Sequence, residues 1–158
     1  MAAIPSITFY LAHPLELRHE VRKAELVIEK ETGINLDNPF YDSDRNDILK
    51  IDRGEISRED QSLNFEEIVE GDLKKIEDSY GIIVYIKKGI YSIGTSCECW
   101  HTLVQTLKPI FVVSPDSLSH PWVRYFIQES NGKGFETWEE LKEFLLSFNI
   151  EDYGGRKR

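Results

Sequence analysis

Two carboxylates in this sequence occupy positions that solubility alone does not explain. Asp72 lies four residues after Ile68 and four before Ile76, on the helical stripe that also carries Phe65, Val69 and Leu73. A carboxylate on an apolar face must be paired, hydrogen-bonded, or protonated with a raised pKa. Two readings fit: it sits at the edge of the stripe and reaches solvent or a loop amide, or it bears a proton at a site. Glu98 poses a similar choice. Thr95-Ser96-Cys97-Glu98 fits a capping box, with Thr95 as N-cap and Glu98 bonding back to its amide. Alternatively, Gly94 turns the chain sharply after a strand and sets Glu98 in the first helical turn at a pocket. The helix dipole there favours an ionised carboxylate, which suits a nucleophile.

These side chains need a scaffold, and the pattern around them supplies one. Apolar runs alternate with helix-periodic stretches, the signature of βαβ units around a parallel sheet. Ile7 to Ala12, Ile34 to Phe40, Gly81 to Ile86, Pro109 to Ser114 and a short run ending at Phe135 read as five strands. Helices are expected from Pro14 to Gly33, from Phe65 through Ile76, from Gly94 to about Leu107, over 120–130, and on the face Trp138, Leu141, Leu145 and Phe148. Gly33 closes the first of these as a C′ residue. Residues 42–64 are rich in charge and read as a long functional or mobile loop. Their opening only superficially resembles a calcium loop, since Asp47 stands where Gly is required and Arg53 where the closing Glu belongs. The expected fold is an α/β, flavodoxin-like open sheet of order 2-1-3-4-5 with helices on both faces. In that order the ligand site lies beyond the carboxyl ends of strands one and three, so Tyr10–Arg18 and Lys87–Glu98 converge on it.

Composition narrows the class. A chain of 158 residues, 41% hydrophobic and 30% charged, fits one soluble domain, expected over residues 1–150 with a flexible basic tail at 151–158. Its net charge of -9 argues against nucleic-acid polymers and anionic membranes as partners. No apolar run approaches a membrane span, and the first residues lack the charged region of a signal peptide. Two cysteines, Cys97 and Cys99, are too few for a metal site and read as small buried hydrophobes. A reducing cytoplasm is the expected location.

Several motifs in order carry a family resemblance. Tyr10-Leu11-Ala12-His13-Pro14, Gly71-Asp72-Leu73 followed by Gly81-Ile82-Ile83-Val84-Tyr85, Gly94-Thr95-Ser96-Cys97-Glu98, and Lys108-Pro109-Ile110 resemble the nucleoside 2-deoxyribosyltransferases and the related nucleoside 5′-monophosphate N-hydrolases. Phe135-Glu136-Thr137-Trp138 is similar to the close of the hydrolase branch, so the likeness spans most of residues 7–148. It implies that Glu98 attacks the anomeric carbon of the sugar to give a glycosyl-enzyme. It also implies that Asp72 manages the proton on the departing base, and that Tyr10 positions Glu98 and the sugar. Two carboxylates in unlike environments can divide such roles. A free nucleobase then captures the sugar in a transferase, and water does so in a hydrolase. No cofactor or metal is implied, and a homodimer or higher homo-oligomer is.

This chain departs from the pattern at three places. Ser92 stands where the transferases carry an acid, which is closer to the hydrolases, whose serine contacts the 5′-phosphate. His13 and Pro14 replace a small residue and a serine, so His13 or Arg18 becomes the candidate phosphate partner, Arg18 through a bidentate fork. For His13 the plain alternative is a loop histidine with no ligand. Cys99-Trp100-His101 replaces Leu-Gly-Tyr; Trp100 either walls the base pocket or packs as core, the latter being expected. The site expected on this reading comprises Glu98, Asp72 and Tyr10 for chemistry, and Ser92, Gly94, Thr95, His13 and Arg18 for substrate. The expected activity is sugar transfer between bases. Its rivals are hydrolysis of a nucleoside 5′-monophosphate and a non-catalytic nucleotide-binding module.

Overall fold

The computed structural model describes residues 7–42, 46–57, 59–60, 63–90 and 92–149. The expected tail at 151–158 lies outside them. Five strands pair in parallel in the order β2-β1-β3-β4-β5: β1 (Thr8–Ala12), β2 (Asn35–Asp37), β3 (Ile82–Tyr85), β4 (Ile110–Val113) and β5 (Lys133–Phe135). Around the sheet lie α1 (Arg18–Thr32), α2 (Asn46–Asp52), α3 (Phe65–Asp78), α4 (Ile93–Gln105), α5 (Pro121–Glu129) and α6 (Trp138–Leu146). A single 3₁₀ turn, Leu15–Leu17, leads into α1.

The period-2 alternation of each strand divides the core in two. Phe9, Leu11, Ile83, Phe111 and Val113 face one layer, closed by Val21 and Ile28 of α1 and by Leu141 and Leu145 of α6. Tyr10, Ala12, Ile82, Val84, Ile110 and Val112 face the other, closed by Ile76 of α3, Cys99 of α4 and Val123 of α5. Every residue of β3 and β4 is buried, which is why these strands read as unbroken apolar runs rather than alternating ones. Tyr10 therefore looks toward the α3–α4 layer, the side that carries both carboxylates. Gly33 ends α1 with φ of 74°, the left-handed conformation expected of a C′ glycine. At Gly132 the backbone passes so close to β4 that a Cβ would lie 1.8 Å from the Ile110 carbonyl oxygen.

Three local features differ from the sequence reading. Strand β2 is three residues long rather than seven, because Asn38, Pro39 and Phe40 leave the sheet in a turn. Residues 42–64 are not all loop: they include α2, anchored by Ile48, which is 5% exposed. Finally, α4 begins at Ile93 with Ser92 as its N-cap, whose side chain accepts the Thr95 N–H at 3.2 Å. The Thr95–Glu98 capping box is thereby ruled out. Ser92 offers a good cap acceptor three residues earlier, so the helix nucleates there and Glu98 falls in its second turn.

Candidate active site

A cavity of about 400 Å³ opens beyond the carboxyl ends of β1 and β3. It lies where neighbouring crossovers of a 2-1-3-4-5 sheet diverge, as the topology requires. Asp72 from α3 and Glu98 from α4 both line it, so two acids 26 residues apart in sequence face one space. Helices α3 and α4 pack side by side on the same face of the sheet, which brings these stripes together.

Tyr10 ties the pair together from below. Its ring is fully buried, and its phenol lies close enough to Glu98 and Asp72 to be acted on by both carboxylates. Burial first, then the negative charges of Glu98 and Asp72, hold its pKa well above the ordinary value, so the phenol keeps its proton. A protonated donor beneath a carboxylate favours the ionised form of that carboxylate. Ser92 and Gly94 complete the α4 side of the cavity. The Ser92 oxygen already accepts from the helix, so its O–H remains to be donated. A Cβ on Gly94 would lie 3.8 Å from both Glu98 Oε1 and Ser92 Oγ, which places this backbone turn directly at the acid.

His13 follows β1 and is 3% exposed, with its ring 5.0 Å from that of Phe40 in edge-on contact. Burial pushes its pKa down to about 3, so it is neutral here, and a cationic phosphate partner does not describe it. Arg18 does not line the cavity. Its guanidinium is taken up by Asp52 of α2 and by the Leu15 carbonyl at 2.9 Å, so it fastens α2 to the start of α1. Thr95 is buried and borders a second cavity of about 390 Å³, which Ser92 also lines.

Other residues also depart from expectation. Trp100 is 48% exposed, because it lies on the outer side of α4 beside Trp122 of α5 at a centroid distance of 6.4 Å. It is neither core nor a wall of this cavity. Cys97 is exposed and borders the cavity, whereas Cys99 is buried, its thiol pKa pushed up by burial. His101 faces Glu77 at 3.3 Å.

The roof was not anticipated. Ile48, Ile51 and Leu63 line the cavity from the segment that reads as charged loop, together with Phe40 from the turn after β2. The only sequence signal for it is the spacing of Ile48 and Ile51, a single helical turn among polar residues. Together the arrangement offers an apolar roof, a buried neutral imidazole, a serine hydroxyl, and two carboxylates of which one is backed by a phenol. Two acids in unlike surroundings on one cavity can divide the roles of nucleophile and proton donor.

No family model matches the chain, and no curated protein matches it by sequence. Comparison of structures is more informative. A 2-deoxyribosyltransferase from the psychrotolerant bacterium Bacillus psychrosaccharolyticus superposes with a TM-score of 0.62 at 19% identity, over 91% of this chain and 93% of that one. A conserved protein from Enterococcus faecalis V583 superposes with a TM-score of 0.59 at 15% identity, over 89% and 97% of the two chains. Over 91% of its length, then, this chain has the fold of a 2-deoxyribosyltransferase.

Proposed function

We propose that this protein breaks the N-glycosidic bond of a 2′-deoxynucleoside or its 5′-monophosphate and passes the sugar to another base. The observation that carries this reading is the meeting of Asp72 and Glu98 on one cavity, with the buried Tyr10 phenol close to both. An Oε of Glu98 attacks the anomeric carbon as the bond to the base nitrogen breaks. The electron pair of that bond leaves with the base, and the Asp72 carboxyl supplies the proton that neutralises it. The sugar remains as an ester on Glu98. An incoming base attacks the same carbon, gives up a proton to the Asp72 carboxylate, and frees Glu98. Tyr10 holds the nucleophile ionised and aimed. The shared fold of the Bacillus psychrosaccharolyticus enzyme supports the same reaction class.

Ser92 favours a second reading within this chemistry. Its hydroxyl, in place of an acid, leaves the sugar's 5′ end free of negative charge and tolerant of a phosphate, so water as acceptor and a nucleoside 5′-monophosphate as substrate form the alternative. A second copy of the chain is the partner we assign to the exposed apolar face of α3, α4 and α5, where Val69, Trp100, Val104 and Trp122 are all at least 45% exposed.

Incubation with a panel of deoxynucleosides and deoxynucleoside monophosphates, with and without a second base, tests these readings. A new nucleoside means transfer, and free base plus sugar means hydrolysis. No product from any member overturns the enzyme assignment and leaves a nucleotide-binding module.

A further inference from the structure

We infer that His13 is a specificity-determining residue: a neutral imidazole that reads the polar edge of the heterocyclic base. This rests on the cavity being the nucleoside site argued above. The imidazole is 3% exposed; a ring nitrogen lies near the Leu11 backbone, yet neither nitrogen makes a hydrogen bond of good geometry within the protein. A buried polar ring left with two unmet nitrogens is unfavourable in a folded protein and calls for a partner that arrives later. The ring also borders the cavity, so a ligand is the partner within reach.

The chemistry of that ligand group follows from the surroundings. The ring stands against Phe40, on the wall whose apolar side chains, Ile48 and Ile51, come down from α2. Flat apolar contact on that wall suits the face of an aromatic heterocycle. The sugar is drawn to the head of α4, where the N-cap Ser92, Gly94 and Glu98 line the cavity. A neutral imidazole offers one N–H donor and one nitrogen acceptor. Its natural complement is a base edge that carries a donor and an acceptor side by side, as amide-like and amidine-like ring edges do. A 5′-phosphate would instead call for a cation, which this buried ring does not provide.

Three variants test the assignment: His13→Phe keeps a ring against Phe40, His13→Ala removes it, and His13→Asn restores a donor and an acceptor. KM and kcat are measured for each against deoxynucleosides of several bases, each with and without a 5′-phosphate. For His13→Phe and His13→Ala we expect KM for the preferred base to rise about tenfold, as loss of one hydrogen bond implies. Poorer bases change less than about twofold, kcat is nearly constant, and the preference between bases collapses. His13→Asn recovers most of the preference. The thermal midpoint of free His13→Phe is close to that of wild type, since the ring makes no well-formed internal hydrogen bond. Equal losses for every base, or losses confined to 5′-phosphorylated substrates, overturn the inference while leaving the enzyme reading intact. A wild-type protein that cleaves none of the panel overturns both.

Discussion

Replacing Glu98 by Gln preserves its shape and removes its charge, and that is the sharpest residue-scale test of the mechanism. Turnover is expected to fall by about 10³-fold or more, since a neutral amide neither attacks the anomeric carbon nor carries the sugar. The melting temperature of Glu98→Gln should stay close to wild type, because Ser92 rather than Glu98 caps α4. Tyr10→Phe removes one donor aimed at a charged acceptor, and rates about 10- to 100-fold lower are expected from kinetics at saturating substrate. On the proposed reading, Ser92→Asp places a negative charge at the sugar's 5′ end. The ratio of kcat/KM for a nucleoside over its monophosphate should therefore rise, and an unchanged ratio would remove Ser92 from the substrate contacts.

At the scale of elements, the turn after β2 rests on a buried acid. Glu25 of α1 is fully buried and accepts from Asn38 Nδ2 at 2.9 Å and from Arg22 at 3.0 Å, so it holds the turn that carries Phe40 into the cavity. Burial pushes its pKa up to about 7 against the pull of those two donors. Because the folded value is raised, the folded chain binds more protons than the unfolded one between about pH 4.5 and 7, and the acid contributes less stability as pH rises through that window. Glu25→Gln should thus gain on wild type by about 2–3 kcal/mol from pH 5 to pH 8 in denaturant melts. Depressed carboxyls such as Glu20 and Asp116 act below that window and leave the comparison clean. The order of strands, the C′ glycine and the stripe bearing Asp72 were legible in the letters, because period and turn chemistry are local. The start of α4 was not: both Ser92 and Thr95 are good caps, and only the loop leaving β3 chooses between them. Nor was α2, whose one buried turn needs the cavity beneath it to hold Ile48.

On the scale of the whole molecule, the two faces of the sheet are finished differently. α1 and α6 close theirs with Val21, Ile28, Leu141 and Leu145, and the large apolar side chains they leave outward are aliphatic, such as Leu26, while α4 and α5 leave tryptophans outward: Trp122 is 57% exposed. A chain of charge -9 that keeps such an apolar face is expected to bury it against its own copy. Trp100→Lys with Trp122→Lys should shift the sedimentation coefficient to that of a monomer, and a wild-type protein already monomeric at micromolar concentration would sink the assignment. Among the described residues no helix is long and apolar enough to cross a membrane. Arg18 and Trp100 show where sequence reasoning fell short at this scale, since a cation and an aromatic beside motif residues can each serve the scaffold or the surface instead.

The cavity draws its walls from the turn after β1, the turn after β2, α2, α3 and the head of α4. A molecule that fills it touches all of these parts at once and binds only the folded chain, so occupancy is converted directly into resistance to heat. At a hundred times its dissociation constant a compound adds about 2.7 kcal/mol to the unfolding free energy. Dye-monitored melting of the untouched protein against a library of bases, sugars and nucleotides would then rank what it recognises before any reaction has been detected.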